Sequence, residues 1–259
     1  MSERNQDRPV ALVTGGSRGV GAATARQLAA AGYDVAVTYR NKAARAEEVV
    51  AQVRAAGGSG LAIGGDMTQS ADRGALVEAI NSWAGRLDAL ILNASGGLER
   101  EIVATNPDYP MIINRDAQVE TLSAFLPLLS AAKDGGVVVF VTSHWAHLYG
   151  EVEQLPAYDP VASSKHAGEQ ALRGRLSELE AAGIRLAVVT GDLIEGTITP
   201  KLLERAMPGM TADAKSRAGN LPTTEDMGAA ITRAVTEKSL ANGETIVIGG
   251  ALESLPRLG

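Results

Sequence analysis

Seven short runs of valine, isoleucine, leucine and alanine recur along this 259-residue chain, separated by longer stretches of helical spacing. The runs are Val10–Thr14, Asp34–Tyr39, Gly60–Gly64, Ala89–Asn93, Gly136–Thr142, Arg185–Val189 and Glu244–Ile248. They are apolar throughout and do not alternate with polar residues. A strand with one wet face alternates, whereas a strand covered on both faces does not. Parallel strands joined by crossover helices are covered on both faces. The pattern therefore predicts an α/β fold, a doubly wound sheet of seven parallel strands flanked by helices.

The intervening stretches carry helix signals. Val20, Thr24, Leu28 and Ala31 share one face, and Gly32 ends that helix. A second helix is expected over Ala43–Ala56, and a third through Leu76, Ile80 and Trp83. A fourth runs over Pro110–Lys133, with Pro127 expected to kink it. A fifth opens at Asp159-Pro160, with Asp159 as N-cap, and runs to Gly183. The last begins with a capping-box signal at Thr223–Asp226 and ends near Glu237. Thr197–Leu221 is expected to be irregular, a lid over the substrate. The chain shows no repeat and no low-complexity linker, so residues 1–259 are expected to form one domain.

Composition narrows the chemistry. The chain has no cysteine, which excludes disulfides, a thiolate nucleophile and thiolate metal sites. Its three histidines, His144, His147 and His166, are too few for a histidine-rich metal centre, and no metal is expected. A net charge of -6 disfavours nucleic acid as a partner. The polar start lacks an apolar signal segment, and the apolar runs are too short to span a bilayer. The expectation is a cytoplasmic protein with no membrane partner and a small-molecule or acyl-thioester substrate.

The segment from Val10 through Thr14, Gly15, Gly16, Ser17, Arg18, Gly19 and Val20 to Gly21 reads as strand, glycine turn and helix start. Glycines at 15, 19 and 21 would let the backbone approach a pyrophosphate at the helix N-terminus. About twenty residues on, an NAD-specific site would carry an acid for the ribose 2′-hydroxyl. This chain has Thr38-Tyr39-Arg40-Asn41 there, and Arg40 with Arg18 could clamp a 2′-phosphate. NADP(H) is therefore expected over NAD(H).

These residues resemble the short-chain dehydrogenase/reductase family, whose members have a Rossmann-like fold. Thr14-Gly15-x-x-x-Gly19-x-Gly21 matches its glycine motif. Asp66, followed by Met67, sits where the family's adenine-contacting acid follows the third strand. Asn93-Ala94-Ser95-Gly96 is similar to the family's Asn-Asn-Ala-Gly segment. Asn114 takes the place of the family's structural asparagine, and Ser143 that of its catalytic serine. After the sixth strand, Thr190–Thr197 resembles the Pro-Gly-x-x-x-Thr segment that contacts the nicotinamide amide, with Leu193 and Thr197 as the matching positions. The resemblance implies hydride transfer between nicotinamide and a carbonyl carbon. It also implies a tyrosine acid whose pKa a lysine lowers, a serine on the substrate oxygen, an asparagine anchoring a relay water, and a homodimer or homotetramer.

The catalytic tyrosine departs from the usual Tyr-x3-Lys spacing. Four residues before Lys165 stands Val161. Tyr158 lies seven before it, nearly on the same helix face and one turn earlier. Tyr-x6-Lys is the spacing of the family's enoyl-acyl-carrier-protein reductases. Three readings stay open. Tyr158 is the displaced acid; or His144, His147, Tyr149 or a water gives the proton; or the chain binds NADP(H) without turnover, as a sensor or partner protein. For turnover, ketone reduction is ranked ahead of enoyl-thioester reduction, because Ser143 suits a carbonyl oxygen. Trp145, Leu148, Tyr149, Val152 and Leu155 are expected to form an apolar pocket wall. Asp192 and Glu195 would disfavour a carboxylate nearby.

Overall fold

The computed structural model describes residues 5–250, 252 and 255–258, with the side chains of residues 217 and 218 left aside. Residues 1–4 of the polar start lie outside the described residues. In chain order the first half holds β1 (Val10–Val13), α1 (Gly19–Ala30), β2 (Asp34–Tyr39), α2 (Ala43–Ala55), β3 (Gly60–Gly64), α3 (Ser70–Ala84), β4 (Ala89–Leu92), α4 (Arg100–Thr105) and α5 (Tyr109–Met111). A π-helical segment, Ile112–Asp116, leads into α6 (Ala117–Ser130). The second half holds β5 (Gly136–Ser143), α7 (His144–His147), α8 (Asp159–Arg173), α9 (Leu176–Ala181), β6 (Ile184–Gly191), α10 (Ile198–Ala206), α11 (Met210–Ala218), α12 (Thr224–Thr236) and β7 (Glu244–Ile248).

The strands form one sheet in the order β3-β2-β1-β4-β5-β6-β7, and each neighbouring pair is parallel. Alternate residues supply opposite faces. Val13, Val37, Ile91 and Val139 pack with Leu28, Val50 and Ile231 of α1, α2 and α12. Leu12, Ala36, Leu90 and Val138 pack with Ile80, Phe125 and Leu179 on the other face. Each fully buried leucine or valine contributes about 1.5–3 kcal/mol relative to exposure. This double coverage is why the strand sequences do not alternate.

Four expectations need correction. The helix expected over Pro110–Lys133 is interrupted by the π segment, with Pro127 inside the α6 portion that follows. A period read from side chains does not register one extra backbone residue in a turn. The helix expected to reach Gly183 stops at Arg173 and resumes as α9 after Gly174 and Arg175. Its N-cap is Tyr158, with no side-chain cap, and Asp159 is already helical. The stretch expected to be irregular folds into α10 and α11. The capping box at Thr223 and Asp226 is present, with both reciprocal hydrogen bonds.

Candidate active site

The strand order reverses between β1 and β4. The loops after these strands diverge there and leave a crevice at the carboxyl ends of the sheet. A cleft of about 850 Å³ opens at this point. It is lined by Gly15, Ser17, Arg18, Gly19, Val20 and Gly21 of the glycine turn, and by Asn93, Ala94 and Ser95 after β4. Arg40, Asn41, Asp66 and Met67 line one end, and Ser143, Tyr158, Lys165, Leu193 and Thr197 the other. Two residues expected to touch the cofactor or substrate do not line it. Thr14 is buried and braces the loop after β4, its Oγ1 accepting from the Asn93 and Ala94 N–H groups at 3.0 Å each. Asn114 is also buried behind that loop.

The glycine turn fits a pyrophosphate. Gly15 and Gly19 hold left-handed φ values of 64° and 54°. A Cβ at Gly21 would come within 2.6 Å of the Gly15 carbonyl oxygen. No side chain caps the first turn of α1. Its free N–H groups and the helix dipole therefore face the cleft as an anion site. Two residues of this cradle were not singled out in the sequence. A Cβ at Gly16 would meet Val37 at 2.7 Å, and Thr38 Oγ1 accepts from the Gly15 N–H at 2.9 Å.

The far end of the cleft is cationic. Arg40 and Arg18 are joined there by Lys42 and Arg45, which follow Arg40 by two and five residues. Tyr109, which opens α5 beyond β4, also lines this end. Nothing local in the sequence pairs it with Arg40.

At the opposite end, Tyr158 and Ser143 meet. The Tyr158 hydroxyl donates to Ser143 Oγ at 3.1 Å, although Tyr158 caps α8 and Ser143 ends β5. Val161, at the usual tyrosine position, is buried against Gly97, where a Cβ would lie 3.1 Å from its Cγ2. Burial raises the Tyr158 phenol above its ordinary pKa, and the Ser143 hydrogen bond opposes this. The expected lowering by lysine is thus corrected: desolvation dominates. Lys165 shares the cleft, and burial pushes its ammonium down to about 8. Among the described residues none accepts a hydrogen bond from it.

This lysine makes a prediction. Between about pH 8 and pH 10.5 the unfolded chain still binds a proton that folded Lys165 has released. Stability therefore rises with pH across that window. Urea unfolding of the wild type and Lys165→Met at both ends of the window checks it. The wild type should gain relative to the variant as pH rises, and a constant difference would remove this assignment.

The side chain of Asn114 is fully engaged. Its Nδ2 donates to the Gly96 carbonyl at 2.9 Å and Ser164 Oγ at 3.0 Å, while Oδ1 accepts from Ser95 Oγ at 2.8 Å. It ties the loop after β4 to α8. That side chain is not placed as the expected water anchor.

The alternative proton donors are occupied elsewhere. His144 is buried, and Nε2 meets the Gly250 carbonyl at 3.1 Å, so Nε2 carries the hydrogen. Its Nδ1 then accepts from Thr190 Oγ1, and burial lowers its pKa, with nearby Asp192 opposing. His147 Nδ1 pairs with buried Glu169 at 2.8 Å, and His166 Nδ1 meets the Ala146 carbonyl at 3.0 Å. Tyr149 donates to Asp159 at 3.2 Å. Of the expected apolar wall, Trp145 lines the cleft. Leu148, Tyr149, Val152 and Leu155 pack in the cluster behind it, because α7 turns their segment away. Asp192 also lines the cleft, whereas Glu195 is paired with Lys215. Thr197 closes the side opposite Gly19 and donates to the Ile194 carbonyl at 2.9 Å.

Among the described residues, no three metal-ligating side chains come together, and no helix is long and apolar enough to cross a membrane.

Comparison with known proteins gives a consistent picture. A family model for short chain dehydrogenases matches residues 9–206. A 1-cyclohexenylcarbonyl-CoA reductase from Streptomyces collinus is 30% identical over 251 residues, covering 95% of this chain and 87% of the relative. A 3-oxoacyl-[acyl-carrier protein] reductase from Brucella melitensis, solved in complex with NAD, superposes with a TM-score of 0.80 at 26% identity, covering 94% of this chain and 96% of that one. LugOII, a promiscuous reductase catalysing keto-reduction at C1 during lugdunomycin biosynthesis, superposes at 0.78 and 26% identity, covering 94% and 98%. With the glycine turn at the switch point and a family match running from β1 into α10, the chain belongs to the short chain dehydrogenase family of oxidoreductases.

Proposed function

We propose that this chain is an NADPH-dependent ketone reductase in which Tyr158 is the proton donor. The observation that carries the reading is the 3.1 Å contact between the Tyr158 and Ser143 hydroxyls. Two hydroxyls converging in a cleft can hold one substrate oxygen between them. The glycine turn, Asp66, Met67 and Thr197 would hold the dinucleotide, and Arg18, Arg40 and Asn41 its 2′-phosphate. When bound, NADPH supplies a hydride to the carbonyl carbon. As the C=O π pair moves onto oxygen, Ser143 donates a hydrogen bond to it and Tyr158 gives up its proton. Solvent then returns a proton to Tyr158, and Lys165, which lines the same cleft, would hold the nicotinamide ribose. The helices at Ile198–Ala206 and Met210–Ala218 would cover the substrate. We place the protein in the cytoplasm as a homodimer or homotetramer.

A second reading, enoyl-thioester reduction, is favoured by the Tyr-x6-Lys spacing and by the Streptomyces relative, named for a cyclohexenylcarbonyl thioester. The two part in a paired assay. NADPH oxidation is followed with cyclic and β-keto thioester ketones and, separately, with 2-enoyl thioesters. Turnover of ketones alone is expected, and turnover of enoyl thioesters alone would reassign the reaction. Tight NADPH binding with neither would return the chain to a silent binding role. A binding titration should favour NADPH over NADH roughly ten- to hundredfold, the worth of a hydrogen-bonded charge pair.

A further inference from the structure

We propose that Tyr109 is a positioning residue that presents Arg40 to the 2′-phosphate of the dinucleotide. The inference rests on the NADPH reading above. Arg40 follows β2, and Tyr109 opens the one-turn helix beyond β4, so the two come from opposite sides of the switch point. Arg40 Nη1 donates to Tyr109 Oη at 2.7 Å, and the same Nη1 lies 3.9 Å from Asp66 Oδ2. Arg40 is 37% exposed along its side chain, whereas Tyr109 is only 8% exposed. A partly exposed cation is thus moored to a buried ring.

The ring has a built seat. A Cβ at Gly96 would come within 2.9 Å of Tyr109 Cε1 and 3.1 Å of its Oη, so the loop after β4 makes room for the phenol. Burial raises the Tyr109 pKa, which keeps the phenol neutral and its oxygen a simple acceptor for arginine. The guanidinium has five N–H donors in a fixed fork. Mooring through Nη1 leaves the other nitrogens for a phosphate. A free arginine would lose rotamer freedom on binding, and Tyr109 removes part of that loss beforehand.

The test is fluorescence titration of the full-length protein with NADPH and NADH, for wild type, Tyr109→Phe, Arg40→Ala and the double variant. Phenylalanine keeps the ring on Gly96, and matching thermal midpoints would show that the fold is retained. Tyr109→Phe should weaken NADPH roughly three- to tenfold, as expected for one unmoored side chain, and leave NADH unchanged. With Arg40→Ala already present, Tyr109→Phe should add nothing. Equal loss for both dinucleotides, or a further NADPH loss in the double variant, would overturn the inference. A wild-type NADPH preference that Tyr109→Phe leaves undiminished would also overturn it, while leaving the cofactor reading intact. Equal wild-type affinities for the two dinucleotides would overturn both.

Discussion

Replacing Tyr158 by phenylalanine is expected to lower kcat by about 10²–10⁴-fold, the range a positioned general acid contributes. The substitution removes one oxygen and keeps the ring in its apolar surroundings, beside Trp145 and Leu193 in the same cluster. Ser143 loses the 3.1 Å hydrogen bond but keeps its place, because its Oγ also accepts from the Ala146 N–H at 3.3 Å. NADPH affinity and the thermal midpoint should therefore change little. The measurement is single-turnover hydride transfer, which separates chemistry from product release. A variant that keeps wild-type kcat would show that the proton comes from another group. The histidines would be poor replacements, since His144 sits between Thr190 and Gly250 and His147 is bound to Glu169.

Gly168→Ala is expected to destabilise the protein by about 3 kcal/mol, near the upper end for overpacking. A Cβ at this position would lie 2.2 Å from the Asn114 carbonyl oxygen and 3.2 Å from its carbon. Both partners are backbone, so no side chain can swing aside; α8 and the π segment would have to separate. For a chain of this size that cost corresponds to a fall in thermal midpoint of roughly 6–12 °C. Activity should fall as well, because α8 carries Lys165 and is capped by Tyr158, while Asn114 holds Ser95, Gly96 and Ser164 in place. Thermal unfolding followed by circular dichroism, with kcat measured well below the variant's midpoint, checks both parts. An alanine variant with an unchanged midpoint would mean that the close approach of the two elements is not needed. Glu169, one residue on, ties α8 to a different neighbour: it is buried and binds His147 of α7 and Arg173 of α8.

Much of this architecture was legible without coordinates. The strand runs are apolar on both faces because both faces of the sheet are covered, and each of the seven lies within two residues of its expected bounds. Gly15, Gly19 and Gly21 were legible because left-handed backbone and close backbone approach admit little else. The breaks in the helices were not. The π segment at Ile112–Asp116 answers the approach of Gly168, a contact across more than fifty residues that leaves no local period. The folding of 197–221 into two helices was likewise missed, since their apolar positions are few and their proline and glycine read as loop signals.

The same division holds in the cleft. Local spacing was enough to nominate Tyr158, because seven residues return to nearly one helix face. Its partnership with Ser143 was decided by where α8 starts relative to the end of β5, which is a matter of packing between distant elements. Tertiary burial alone reversed the expected phenol shift and lowered Lys165, since desolvation depends on every atom that surrounds a charge. The pairing of Arg40 with Tyr109 across the switch point belongs to the same class. Local sequence determined the strands, the glycine turn and the list of chemical groups, because backbone conformation and residue chemistry are short-range properties. Which of those groups meet, and at what pKa, was decided only when the sheet brought distant segments to one edge.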